Sequence, residues 1–402
     1  MTATATGAKA FPDVTVCIPA WQAAGFIDRT LRCARAQTHA AQRIAVSVDL
    51  STDETEEICR SHAREDGRVV IYAQRERLGW TGNVNFLLER VRTEFACLYF
   101  HDDWIDSTYT ERLVAVLRER PDAASAHCDV GHFGGTAHTL LGRAYEGTPH
   151  ERLLTFFVAT PKGSMLRSMF RPALVGDVRL PSGPGAGVGA GRPFLMKLVA
   201  AGPVLRVADK LYWRWGRRPG GLTEGWRSLP LEDILEGYRR AAEVARDIID
   251  GLETSSEERE TLMFGLLVYM TLWLRHTEVR YGATSVNPPE CLLPEFSDTT
   301  MPLAVRGLPE PLRSWCEEEH DRMDRQTGKR ALLLGDHWQA IAAFRALTRR
   351  HPTAPLEWTR LATALRGAGR QEEADEAERR AGQLRERAVK GEASASPDAD
   401  RE

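Results

Sequence analysis

The first 130 residues alternate between two patterns, and that alternation restricts the fold more than anything else in the chain. "VTVCIP", "RIAVSVD", "RVVIYA" and "FACLYF" are short, almost unbroken apolar runs, as expected of strands buried on both faces. Between them, "GFIDRTLRCARAQ", "TDETEEICRSHARED" and "GNVNFLLERVR" space their apolar residues by three and four, as helices do. "STYTERLVAVLRER", with Ser107 as its N-cap, and the strand "AASAHCDVGHF" complete the series. Such alternation predicts an α/β domain with a mostly parallel sheet and right-handed crossovers. In these sheets ligands bind beyond the carboxyl ends of the strands. Pro19-Ala20-Trp21, Asp49 and Asp102-Asp103 each follow a strand directly, which gathers them along one edge.

The last pair needs a reason to exist. A strand that ends on adjacent carboxylates sets like charges side by side, and burial makes that worse. The pair requires a cation, a set of donors or open water. Singly, these residues have ordinary readings. Asp49 could cap the next helix, although Ser51 or Thr52 is the better local cap. Trp21 could be core, Asp102-Asp103 a solvated turn, His101 a structural histidine and Asn85 a packing residue. The ordered set on strand ends is what points to a ligand site.

From about residue 131 the pattern weakens. "LPSGPGAGVGAGRP" reads as loop, "FLMKLVAAG" as helix and "VLRVADKLYWRW" as strand. Residues 231–280 read as helical and are followed by a Pro-rich connection. Toward the end Gly335 and Gly369, Ala340 and Ala374, and Ala343 and Ala377 are each 34 apart, the period of the tetratricopeptide repeat. The expected organisation is a disordered 1–12, an α/β domain over 13–228, a helical region over 229–325, tetratricopeptide-like helices over 326–386 and a disordered tail over 387–402. So few repeats seldom stand alone, so they are expected to pack on preceding helices or on a second subunit, as a homodimer. The net charge of −3 gives no bulk pull toward nucleic acid. The longest apolar stretch, 14 residues of "TLMFGLLVYMTLWL", is too short to span a membrane. The start lacks an apolar signal segment, and seven scattered cysteines without C-x-x-C suggest neither zinc nor disulfides. These features predict a cytoplasmic protein.

Read in order, "IPAWQ", "ARAQTH", "SVDLSTDET", "GWTGNVNFLLERV" and "YFHDDW" resemble the successive landmarks of family 2 glycosyltransferases with a GT-A fold. The resemblance covers the first 130 residues and implies an enzyme whose donor is a nucleotide-diphosphate sugar. Departure of the diphosphate builds negative charge that a divalent cation can offset, so the resemblance implies Mn²⁺ or Mg²⁺ on an oxygen site. By resemblance Asp103 is the metal ligand and catalytic acid residue, Asp102 contacts the ribose or a metal-bound water, and Asp49 accepts from the base. Trp21 takes the place of the family's tyrosine and would stack on that base beside Pro19. Arg77 would reach toward the diphosphate. "DKLYWRWGRRPGGLTEGW" resembles the family's closing segment, with Arg217 or Arg218 at the usual histidine position.

Two departures stand out. Phe100 occupies the place of a further acid in the "HDDW" motif. Gly191, Arg192 and Pro193 stand where inverting members carry the carboxylate that deprotonates the acceptor. Asp177 is the nearest upstream substitute, and a thiol acceptor would need less help because thiols ionise readily. The reading that follows is a metal-dependent inverting glycosyltransferase acting on a peptide, natural product or glycan. The combination with tetratricopeptide-like helices resembles bacterial enzymes that glycosylate peptides at cysteine or serine. The competing reading is a catalytically degenerate relative serving as a scaffold. A nucleotidyltransferase is a third, and lacks a phosphate-cradling loop after the first strand.

Overall fold

In this computed structural model the described residues are 13–134, 137–158, 165–177, 179–181, 189–216, 218, 221, 229–263, 265–266, 269–270, and 321–389 apart from 323, 326, 330 and 334. They fall into two packed units, one ending at Met270 and one formed by the residues from 321 onward.

The first unit is built on the expected alternation. Strands β1 (Val14–Ala20), β2 (Gln42–Val48), β3 (Val69–Ala73) and β4 (Phe95–Leu98) lie side by side in the order β3-β2-β1-β4, all parallel. Helices α1 (Ile27–Arg35), α2 (Thr55–Glu65) and α3 (Gly79–Leu88) make the crossovers. Every residue of β1 is buried, which is why its sequence shows no polar alternation. Helix α1 buries Ile27, Thr30, Leu31 and Ala34, one face at helical spacing.

Beyond β4 the sheet continues with the two strands expected over "AASAHCDVGHF" and "VLRVADKLYWRW" and with three two-residue strands the sequence did not announce. The short β5 (Trp104–Ile105) precedes α4 (Tyr109–Glu119) and the long β6 (Ser125–Phe133). Next come β7 (Thr139–Leu140), α5 (Pro149–Val158), β8 (Met169–Phe170), α6 (Pro172–Val175), α7 (Gly191–Ala201) and β9 (Val204–Trp215). The full order is β3-β2-β1-β4-β8-β6-β9-β5, with β7 on β6. Strands β5, β7 and β8 run antiparallel to their neighbours, so the sheet is mixed, with six of its nine strands pointing one way. A bulge on β9 shifts its register against β6, from Cys128↔Val207 to Asp129↔Lys210 to Val130↔Tyr212. That extra length turns the end of β9 over the segment after β4. Helix α8 (Leu231–Asp250) packs on α7 within this unit.

Two cap assignments are corrected. Helix α4 starts at Tyr109 with Thr108 rather than Ser107 at its N-cap; in the turn before it Asp106 accepts from Thr108 N at 3.0 Å and Thr108 Oγ1 at 2.7 Å. Before α2, Asp53 accepts from Thr55 and from Ala24 N, while Ser51 and Thr52 bond to Gln22 instead.

The second unit is helical. Helices α9 (His337–Arg350), α10 (Pro355–Gly367) and α11 (Gln371–Val389) pack in sequence around Phe344, Leu347, Leu361 and Leu365. Gly335 and Gly369 both hold a left-handed φ, of 75° and 74°, just before α9 and α11. Ala340 and Ala374 are both fully buried. The Pro-rich connection lies outside the described residues. Among the described residues no helix is long and apolar enough to cross a membrane.

Candidate functional site

Strands β1 and β2 end level, Ala20 opposite Val48. The chain then turns sharply at both ends: Gln22 and Leu50 hold left-handed φ angles of 45° and 47°, uncommon for non-glycine residues. Asp49 N donates to Ala20 O at 2.9 Å, which fixes Asp49 beside Trp21. The Asp49 carboxylate is fully buried; its Oδ1 accepts from Leu78 N at 2.6 Å and its Oδ2 pairs with Arg77. Arg77 in turn lies 3.8 Å over the ring of Trp21, which is 42% exposed. Burial pushes the Asp49 carboxyl above its ordinary range, with the Leu78 amide and Arg77 opposing. Burial likewise pulls the Arg77 guanidinium down. The result is a stack at the strand ends: an exposed indole, a flat cation lying on it and a buried acceptor behind the cation.

The second cluster lies past β4. His101 Nδ1 donates to Pro19 O at 3.0 Å, tying this segment to the end of β1. Thr30 Oγ1, on α1, donates to His101 O at 2.7 Å. Asp103 is 1% exposed and takes donors on both oxygens. Arg167 donates to Oδ2 from Nε at 3.2 Å and Nη2 at 3.0 Å, and Tyr212 OH joins at 2.9 Å. Trp215 N, delivered by the bulged end of β9, reaches Oδ1 at 3.1 Å. Burial raises the Asp103 pKa, against the pull of Arg167. Asp102 is the reachable member of the pair, with its side chain 21% exposed and 2.8 Å from Arg218 Nε. Arg29 Nη2 donates to Asp102 O at 3.1 Å, and its guanidinium rests 4.9 Å from the Trp104 ring centre. Arg214 joins them; repulsion from Arg167, its largest influence, makes its guanidinium easier to deprotonate.

The structure therefore brings together Pro19, Trp21, Asp49, Arg77, Asp102 and Asp103 at one sheet edge. Trp21 is not core, and Asp49 does not cap α2; its carboxylate accepts from Leu78 N at the start of α3 instead. Asp103 as a direct metal ligand does not fit: protein donors already take both its oxygens, and the side chain is sealed. Arg77 is engaged by Asp49 and Trp21. Arg217 and Trp226 lie outside the described residues, and Arg218 makes the contact to Asp102. Asp177 does not suit the role of base. Arg179 grips it at 2.8 Å and holds its carboxyl down to about 2, which leaves a weak proton acceptor. Arg192 turns to the hydroxyl of Tyr269. Asn85 packs by holding both polar groups of the Leu180 backbone at 2.8 Å.

Sequence reasoning missed Arg29, Arg167, Tyr212 and Arg214. Tyr212 and Arg214 sat inside the flagged "LYWRW" stretch, but nothing local marks Arg29 or Arg167. A resident divalent cation does not suit this donor set. Among the described residues no cluster of three His, Cys, Asp or Glu side chains could hold a metal. The one reachable carboxylate already pairs with an arginine.

Comparison with known proteins accords with this geometry. Residues 15–171 match the family model described as glycosyl transferase family 2. The chain is 24% identical over 173 residues to EpsH of Bacillus subtilis (strain 168), covering 42% of this chain and 50% of that one. It is 29% identical over 106 residues to the glycosyltransferase GlyA of Streptococcus pneumoniae serotype 4, covering 26% and 15%. The chain thus spans half or less of these two relatives. A crystal structure of S. aureus TarS 1–349 in complex with UDP-GlcNAc shares the fold, with 17% identity, a TM-score of 0.56, and coverage of 85% of this chain and 92% of that one.

Proposed function

We propose that this family 2 glycosyltransferase domain transfers a sugar from a nucleotide-diphosphate donor by single displacement, with inversion. One observation carries the reading: the stack of Trp21, Arg77 and Asp49 stands at the same sheet edge as the arginine cluster around Asp102, the two tied by His101 and Pro19. A base that displaces Arg77 stacks on Trp21 and donates an N–H to Asp49. The diphosphate then falls toward Arg218 and Arg29, whose charges stabilise it as it leaves. Asp103 does no chemistry; it anchors Arg167, Tyr212 and the end of β9, which hold that cluster in place. No described carboxylate is free to act as a nucleophile here, which favours direct attack by the acceptor over a covalent intermediate.

The acceptor follows from what stands at the start of α7. Arg192 replaces the expected carboxylate, so the reading favours a nucleophile that ionises without a strong base, such as a peptide thiol. The helical unit is read as tetratricopeptide-like, presenting an acceptor or a second copy. The matching turns at Gly335 and Gly369 support that reading.

The test is a thermal-shift panel of UDP-, GDP- and dTDP-sugars, followed by donor hydrolysis. One donor should stabilise the protein and be turned over, and Asp49→Asn should weaken both responses at a given donor concentration. No response to any donor, with retained binding of helical peptides, would favour the scaffold reading.

A further inference from the structure

The charges around the end of β9 do not balance. Asp102 and Asp103 face the guanidiniums of Arg29, Arg167, Arg214 and Arg218, which leaves the cluster with two net positive charges. A sugar-nucleotide diphosphate is a dianion, so it neutralises this field with no further cation. A divalent ion would double the imbalance before the donor arrived. Its one reachable ligand would be Asp102, which Arg218 already holds at 2.8 Å. Phe100 removes the next acid along the motif.

The guanidiniums are also not fully used. Arg29 Nε and Arg218 Nε are buried and have no hydrogen-bond acceptor. For Arg218 the Asp102 carboxylate is close but poorly aligned. Buried N–H groups without acceptors are costly, and they suit the oxygens of an incoming anion. Arg29 is held in place by the rings of Trp104, Phe133 and Trp215 at 4.9, 5.6 and 5.9 Å, so it is preorganised.

We infer that this site holds the donor's diphosphate with arginine alone: Arg218 and Arg29 take the place of a divalent cation, and donor binding is independent of metal. Asp102 then serves as a resting partner for Arg218 and gives it up when the diphosphate arrives. The inference rests on the donor reading above.

Calorimetric titration of the full chain with inorganic pyrophosphate, UDP, GDP and dTDP, each in EDTA and in excess Mn²⁺, tests it. The dissociation constants should agree within about threefold between the two conditions. Arg218→Gln should weaken binding about tenfold or more, with an unchanged melting temperature. Asp102→Asn removes the reachable metal ligand and a competing charge, so it should bind as tightly as the parent or more tightly. Binding that needs Mn²⁺, loss of binding in Asp102→Asn, or no binding of any of the four would overturn the inference. Nucleotide binding confined to Mn²⁺ would leave the donor reading standing. Pyrophosphate binding in EDTA without any nucleotide binding would leave the arginine clamp and remove the donor reading.

Discussion

Asp49 and Asp103 are two buried carboxylates past the ends of β2 and β4, the strands that flank β1, each paired with an arginine, yet they are built for opposite purposes. Asp103 is enclosed by fixed donors from two distant stretches: Arg167, and Tyr212 with the backbone of Trp215 at the end of β9. Asp49 has fixed backbone donors at the start of α3, Leu78 and Gly79, and one long side chain, Arg77, resting on an exposed indole. The first arrangement has no room for a ligand. The second releases its acceptor when one side chain swings away. A buried acid–arginine pair is thus a scaffold or a binding site according to what surrounds the arginine, and burial alone does not say which.

The largest effect should come from breaking the enclosed pair. Asp103→Ala leaves Arg167 buried beside Arg214 without its counter-charge, and should cost about 3–5 kcal/mol in urea unfolding. An Asp103→Ala variant as stable as the parent would show that the cluster carries no structural load. Asp49→Asn should instead spare stability and weaken nucleotide affinity about tenfold to a hundredfold, since one charge-assisted bond is lost. If both variants changed the same observable, the contrast between the two acids would be gone.

Trp21→Ala should be milder, about threefold to tenfold in nucleotide affinity, read by the same titration. Below it comes a pH effect near the second cluster. Burial, with Arg214 and His138, holds the His132 pKa down to about 4, from an ordinary 6.5. The unfolded chain therefore binds the extra proton first. Stability from this group is complete above pH 6.5 and falls as the pH drops toward 4. His132→Gln should flatten the melting temperature in that window and leave it unchanged at pH 8. Smallest of all is Asp177→Asn, which should change the turnover rate by less than about twofold, because so acidic a carboxyl is a poor base.

What was legible in the sequence is what depends on neighbours along the chain. The strands of the first half declared themselves because burial on both faces leaves no polar alternation and no charge in a run such as "VTVCIPA". Their carboxyl ends then had to share an edge, and Pro19, Trp21, Asp49 and Asp102 came with them. The short strands β5 and β8 were not legible, since two residues carry no period.

The sequence by itself determined that acids and an aromatic would meet at one sheet edge, because alternation of strand and helix leaves parallel strands no other arrangement. Only the tertiary structure decided which acid faces outward. Asp102 and Asp103 are adjacent and chemically identical. What separates them is the bulged return of β9 and an arginine 64 positions away, at Arg167, closing on one and not the other. That choice comes from packing between distant segments, and no local pattern encodes it.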